Sequence, residues 1–292
     1  MLLQSNNIQY NRLRSYSAVF SVPSFIKLLN TDDFSFLDSK IRRYDISKVG
    51  SEIHTYYDYI RYTYKILQNE YRNEYIYKNT IINDLLLRKY GLKNTILINE
   101  FRVGNSIADV VMFNGTSKAF EIKTELDSAR RLDSQLDDYM KIFQECYVIT
   151  HESLTSKYLL GDSRIGIIEL AKHKNSVLLK EVRPAQMNNT IDSDTLIKAI
   201  RTSEYKNIVK QYFGSLPVMN SFNMFEMCRN LIRQIPSDQL HKLFIAELKK
   251  RKTNTGIVNQ FPKELRHVFL AMNISQKCYY DIELKLNQKI NL

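Results

Sequence analysis

Ile107-Ala108-Asp109-Val110-Val111-Met112-Phe113-Asn114-Gly115-Thr116-Ser117-Lys118-Ala119-Phe120-Glu121-Ile122-Lys123 is the stretch on which the fold turns. Its first half is rich in Val and Ile, Asn114-Gly115 is a strong turn signal, and Lys118 to Thr124 alternates apolar and polar residues, so it predicts a β-hairpin. Directly opposed residues of a hairpin point the same way, and a slip of one residue sends one of them to the other face. If Phe113 pairs with Ser117 across a three-residue loop, Asp109 lies opposite Glu121. Period-two alternation then sets Lys123 on that same face and turns Phe120 and Ile122 to the other. An even-numbered loop without a bulge would part the two acids.

Two carboxylates and a lysine on one face suit hydrolysis of a phosphodiester. That reaction needs charge neutralised on the phosphoryl oxygens, a hydroxide nucleophile and help for the leaving oxygen, and a divalent cation supplies all three. Mg²⁺ takes hard oxygen ligands, usually one or two carboxylates with water and substrate phosphate completing the shell. Asp109 and Glu121 meet that description for Mg²⁺ or Mn²⁺, and the backbone carbonyl of Ile122 offers a third oxygen. Lys123, a compact point charge, would orient or deprotonate the attacking water and stabilise charge on the phosphate. Charged residues on a hairpin face are commonplace, so a solvated face is the plain alternative. Against it, Asp109 interrupts an apolar strand, where an ionised group is costly unless it is paired or bound to metal.

Asp109 followed by Glu121-Ile122-Lys123 resembles the acidic position and the E-x-K motif of the PD-(D/E)XK, or restriction-endonuclease-like, nuclease superfamily. Gln135-Leu136-Asp137-Asp138-Tyr139 resembles the Q-x-x-x-Y helix motif of its RecB-like members. The proline that often precedes the first acid is Ala108 here. The wider order of Glu74-Tyr75-Ile76-Tyr77-Lys78-Asn79, Glu100-Phe101-Arg102, Ala108-Asp109, Glu121-Ile122-Lys123 and Arg131-Leu132 with Gln135 looks like a family of bacterial proteins in that superfamily, mostly without an assigned function. The resemblance implies an α/β fold, a mixed central sheet flanked by helices over residues 72–185. It also implies a catalytic set of Asp109, Glu121, Lys123 and Gln135, and a further metal-binding acid on the helix before the first strand. Glu74 is the candidate by resemblance and Asp84 by position.

The flanking segments supply the rest of the expected site. Residues 72–90 read as a helix that Gly91 stops. Glu100 falls late in a strand, as an accessory metal ligand or as the partner of Arg102. Residues 128–143 read as an amphipathic helix capped by Asp127 or Ser128, with Leu132, Leu136, Tyr139 and Phe143 on one face. Gln135 lies at the edge of that stripe, and Tyr139 is expected to bury its ring and leave its hydroxyl at the rim, an accessory position. Arg130 and Arg131 are candidate phosphate contacts. The five histidines show no metal-ligand spacing; His151 alone falls near the expected site.

With 44% hydrophobic and 25% charged residues, the chain has an ordinary globular composition. No run reaches the roughly 20 apolar residues of a membrane span, the first ten residues lack a basic segment followed by an apolar one, and three scattered cysteines suit a reducing compartment. A cytoplasmic protein is expected. Net charge is +11, and residues 186–292 hold 16 basic against 9 acidic residues. That points to nucleic acid as partner, DNA first, because neutralising phosphates dominates such affinity. Lys249-Lys250-Arg251-Lys252 closes an expected helix from Asp238 to Lys250, where it would contact nucleic acid or complement the helix dipole. The tyrosines between Tyr56 and Tyr77 have helical spacing and suggest a packed face. Three segments are expected: a helical extension over 1–71, the nuclease-like core over 72–185 and a basic helical domain of five helices over 186–292. The leading reading is a Mg²⁺- or Mn²⁺-dependent nuclease, compatible with phage defence or mobile-element biology and with a homodimer. The rival is a nucleic-acid-binding or regulatory protein that keeps the fold without catalysis.

Overall fold

Gly115 has φ +82° between Asn114 and Thr116, which pair with each other as the hairpin closes around it. Nothing lies within 4 Å of where a Cβ would sit, so the backbone conformation, which glycine adopts freely, is the reason for the residue. Phe113 pairs with Ser117 and Val110 with Phe120, the expected register. The computed structural model describes residues 2–128, 130–174 and 176–292. In it the hairpin forms strands β2 (Ser106–Asn114) and β3 (Thr116–Lys123) of a six-stranded mixed sheet with β1 (Ile96–Val103), β4 (Glu145–His151), β5 (Gly166–His173) and β6 (Ser176–Arg183), ordered as in sequence.

β1, β2 and β3 run antiparallel, whereas β3, β4 and β5 run parallel. Parallel neighbours need a crossover, and the helices Leu132–Met140 and Thr155–Leu159 provide it before β4 and β5. β3, like β4 beside it, is covered on both sides, buried from Ser117 to Lys123. One face of the sheet carries Val111, Phe113 and Ala119, which share a core with Leu132, Leu136 and Tyr139. Phe244, from helix Ser237–Leu248, stands perpendicular to Phe113 at 5.3 Å and completes that cover. On the opposite face Phe120 stacks on Tyr147 at 5.4 Å.

The chain groups into two compact units, and their limits differ from the three expected segments. One comprises Met1–Lys89, Ala171–Leu179 and Asn254–Leu292; the other comprises Tyr90–Leu170 and Lys180–Thr253. Residues 186–253 join the sheet because Leu240, Phe244 and Leu248 are apolar side chains spent on its core rather than on a core of their own. Residues 254–292 cluster instead with the N-terminal helices. In that first unit the tyrosine-rich helix Tyr56–Glu70 begins with a Thr55–Asp58 capping box. Its Tyr59 and Tyr62 hydroxyls donate to buried Asp45 at 3.0 and 3.3 Å, as does Tyr16 at 2.7 Å, so the tyrosines pack and solvate a carboxylate.

Two helices differ from expectation. The segment expected as one helix over 72–90 is α-helical over Glu74–Thr80, where the Asn73 side chain accepts from the Ile76 amide, and continues over Ile81–Tyr90 with wider π-type turns. The helix expected over 128–143 spans only Leu132–Met140 and has no side-chain cap. Asp127 is drawn away: its Oδ2 accepts from the Thr124 amide at 2.9 Å and the Thr124 hydroxyl at 2.8 Å, closing a turn directly after β3. Beyond β6 the described residues form six α-helices where five were expected. None of the described helices is long and apolar enough to cross a membrane.

Candidate active site

Asp109 sits where the ladder opens on both sides. On the β1 side Asn99 pairs with Val110 and Phe101 with Ala108, but no pairing links Glu100 and Asp109 between them. Glu100 has φ +57°, a conformation costly for a residue with a Cβ. On the β3 side the pairing runs up to Val110–Phe120 and ends before Asp109 and Glu121. The carboxylate fills the opening: Asp109 Oδ2 accepts from the Ile122 amide at 2.8 Å. In a strand, the N–H and C=O of one residue point toward the same neighbour, so the Ile122 carbonyl also turns toward β2.

Glu121 is 3% exposed and Lys123 8%, a buried ion pair on the face that the helix Leu132–Met140 covers. The Lys123 ammonium donates to Glu121 Oε1 at 2.9 Å and to Gln135 Oε1 at 3.0 Å. The Tyr139 hydroxyl, expected at the rim, is instead buried with its ring and donates to the other oxygen, Glu121 Oε2, at 2.8 Å. Burial first, then the charge of Glu121 and, further down, that of Asp109, push the Tyr139 phenol well above its ordinary pKa, so it stays a protonated donor. From β4, the Thr150 hydroxyl donates to the Lys123 carbonyl at 2.8 Å and fixes the strand at the lysine. Asp109, Glu121, Lys123, Gln135 and Tyr139 are thus brought together.

Gln135 also faces a cleft of about 740 Å³, whose walls include Asn105, Ile107, Arg131, Ser134 and Asp138. Arg131 opens the helix there and is exposed, as is Arg130. Asp138 fixes the cleft, accepting from the Ser106 hydroxyl at 2.8 Å and the Lys141 ammonium at 2.7 Å, while a Cβ on Gly104 would come within 3.1 Å of its carboxylate.

Other expected site residues lie elsewhere. Glu74 belongs to the first unit, where it pairs with Lys78 at 2.5 Å. Asp84, in the same unit, pairs with Arg88 at 3.1 Å. Glu100, directly across the gap from Asp109, is exposed. The basic run is not a uniform phosphate surface. Arg251 binds Glu204 through two bonds of 2.6 and 2.8 Å, both side chains being largely buried, and lies over the Phe101 ring at 5.4 Å; Lys250 pairs with Glu247. Arg251 is spent on structure. His151 follows Thr150, faces the other side of β4 by alternation, and engages Ser153 and Glu125. Thr150 and Asp138 escaped the sequence reading, because β3–β4 pairing and helix placement decide their parts.

Among the described residues no group of three or more His, Cys, Asp or Glu is placed to hold a metal ion. Carboxylates and strand carbonyls are the donor types that Mg²⁺ or Mn²⁺ takes when water and phosphate complete the shell.

Residues 67–268 match the sequence model of the family described as bacteriophage P4 protein cII. Protein cII of Enterobacteria phage P4 is 29% identical over 130 residues, 44% of this chain, and the chain spans about half (49%) of that relative's length. A solved structure of a protein of unknown function from Silicibacter pomeroyi superposes on 44% of this chain and 87% of its own length. Its TM-score of 0.29 and 12% identity are too low to fix the fold.

Proposed function

This chain belongs to the bacteriophage P4 protein cII family; from the geometry of its own site, and not from that membership, we propose that it is a divalent-metal-dependent nuclease, acting on DNA first, through Asp109, Glu121 and Lys123. The observation that carries the reading is the ammonium of Lys123, buried between Glu121 and Gln135 on a strand whose neighbour opens its ladder at Asp109. A mixed sheet flanked by helices agrees with the resemblance to PD-(D/E)XK nucleases; a restriction-endonuclease-like core is part of the proposal.

The metal would be held by the carboxylates of Asp109 and Glu121 and the Ile122 carbonyl, and it supplies charge neutralisation and a more acidic water. Lys123 orients the attacking water and meets negative charge as it develops on the phosphate. Gln135 restricts the lysine to one direction by accepting from it, and Tyr139 does the same for Glu121, so neither group must reorganise when substrate arrives. Arg131, at the lip of the cleft beside Gln135, would take a neighbouring phosphate.

Labelled single- and double-stranded DNA and RNA, incubated with the full chain in Mg²⁺, Mn²⁺ or EDTA, test this. The wild type should cut DNA only with metal, and Lys123→Ala and Asp109→Asn should be slower by at least about a hundredfold. Equal cutting by all three proteins would expose a contaminant and remove the assignment. Binding without cutting by the wild type would favour a recognition protein.

A further inference from the structure

Within the first unit a pocket of about 380 Å³ lies between Asn83, Arg88, Val177, Leu178, Lys263 and Arg266. None of the residues assigned above to phosphodiester hydrolysis lines it. Its charge is one-sided: three permanent cations, Arg88, Lys263 and Arg266, face one carboxylate, Asp84. That carboxylate is already engaged, accepting from the Leu179 amide at 3.0 Å and pairing with Arg88 at 3.1 Å.

Arg266 is the informative group. It donates through Nε to the Phe261 carbonyl at 3.2 Å and through a terminal nitrogen to Asn83 Oδ1 at 2.5 Å, both neutral acceptors. Burial lowers its pKa below the ordinary arginine value, and the charge of buried Glu264 offsets that only in part. Lys263 is anchored by its carbonyl, which accepts from the Asn79 and Asn83 amides at 2.7 and 3.2 Å, while its side chain is exposed. A half-buried guanidinium and an ammonium lining one pocket suit a phosphate, whose oxygens match the planar fork of arginine. The volume falls in the range of small-molecule sites, about 300–1,000 Å³, and exceeds what a bare phosphate fills. Val177 and Leu178 give it an apolar side.

We infer that this pocket binds a small phosphate-bearing molecule, its phosphate on Arg266 and Lys263 and its remainder against Val177 and Leu178. The inference is independent of the proposed hydrolytic site. Calorimetric titration of the full chain with AMP and with inorganic phosphate, at low salt, tests it. Saturable binding of AMP, competed by phosphate, is expected, and Lys263→Glu should weaken it roughly tenfold or more without unfolding, since that side chain is exposed. Arg266→Gln should weaken it further, with circular dichroism showing whether the fold survives. Absence of saturable binding by both probes, or wild-type affinity in Lys263→Glu, would overturn the assignment. Binding of a dodecathymidylate with neither AMP nor phosphate bound would overturn it too, handing the cations to a nucleic-acid backbone.

Discussion

Lys123 is held from two sides, and its burial makes it costly to remove. Lys123→Ala leaves the Glu121 carboxylate, 3% exposed, without its cation, and such a loss costs about 3–5 kcal/mol. Urea denaturation of the variant should show that drop, and Lys123→Met should show no less, because the stranded charge and not the lost volume is the cause. Tyr139→Phe removes the hydroxyl donated to Glu121 Oε2 and should cost about 1–3 kcal/mol by the same measurement. An unchanged midpoint would mean that water replaces the phenol. Asp109, Glu121, Lys123 and Gln135 were legible in the sequence because faces follow from period two in strands and 3.6 in helices. Thr150 was not, since its contact with Lys123 depends on a parallel pairing made 27 residues away. Arg251 was misread for a similar reason: four successive cations display charge, and nothing local points to Glu204, 47 residues earlier.

At the scale of elements, the opening in the sheet around Asp109 is the feature that function would select. Glu100 holds φ +57° opposite it, a conformation that glycine reaches without strain. Glu100→Gly should therefore stabilise the chain by about 1 kcal/mol in urea denaturation; a destabilised variant would show that the Glu100 side chain holds the gap open through its own contacts. The hairpin register was readable from the odd loop that Asn114-Gly115-Thr116 allows, whereas the gap was not, because alternation predicts an unbroken ladder. The helix after β3 was overextended in the sequence reading for a local reason. Asp127 serves equally well as an N-cap or as the acceptor of a Thr124 turn, and the turn prevails.

Across the whole molecule, charge and stability separate into distinct tests. Arg251 serves the fold, so Arg251→Ala should destabilise by about 3–5 kcal/mol. Arg131, exposed at the cleft, should instead act on binding: Arg131→Ala should leave the melting midpoint in place and lower the salt dependence of DNA affinity by about one unit of slope. His267 adds to the loss of stability in acid. Both its ring nitrogens are buried without a hydrogen-bond partner, and burial, then the charge of Lys78, depress its pKa to about 3. The unfolded chain binds the proton near pH 6.5, so this contribution is complete above that pH and is lost as pH falls toward 3, by up to about 1.4 kcal/mol per pH unit. His267→Leu should flatten that slope in denaturation profiles taken from pH 7 to 4. The central claim, that Asp109 and Glu121 hold a metal which Lys123 assists in cleaving phosphodiesters, is tested most directly by the single-turnover rate of DNA cleavage. Wild type and Asp109→Asn, purified side by side, are compared in Mg²⁺ and in EDTA. The account predicts cleavage by the wild type in Mg²⁺ alone and a loss of at least about a hundredfold in the variant; cleavage that persists in EDTA, or that Asp109→Asn leaves unchanged, would contradict it.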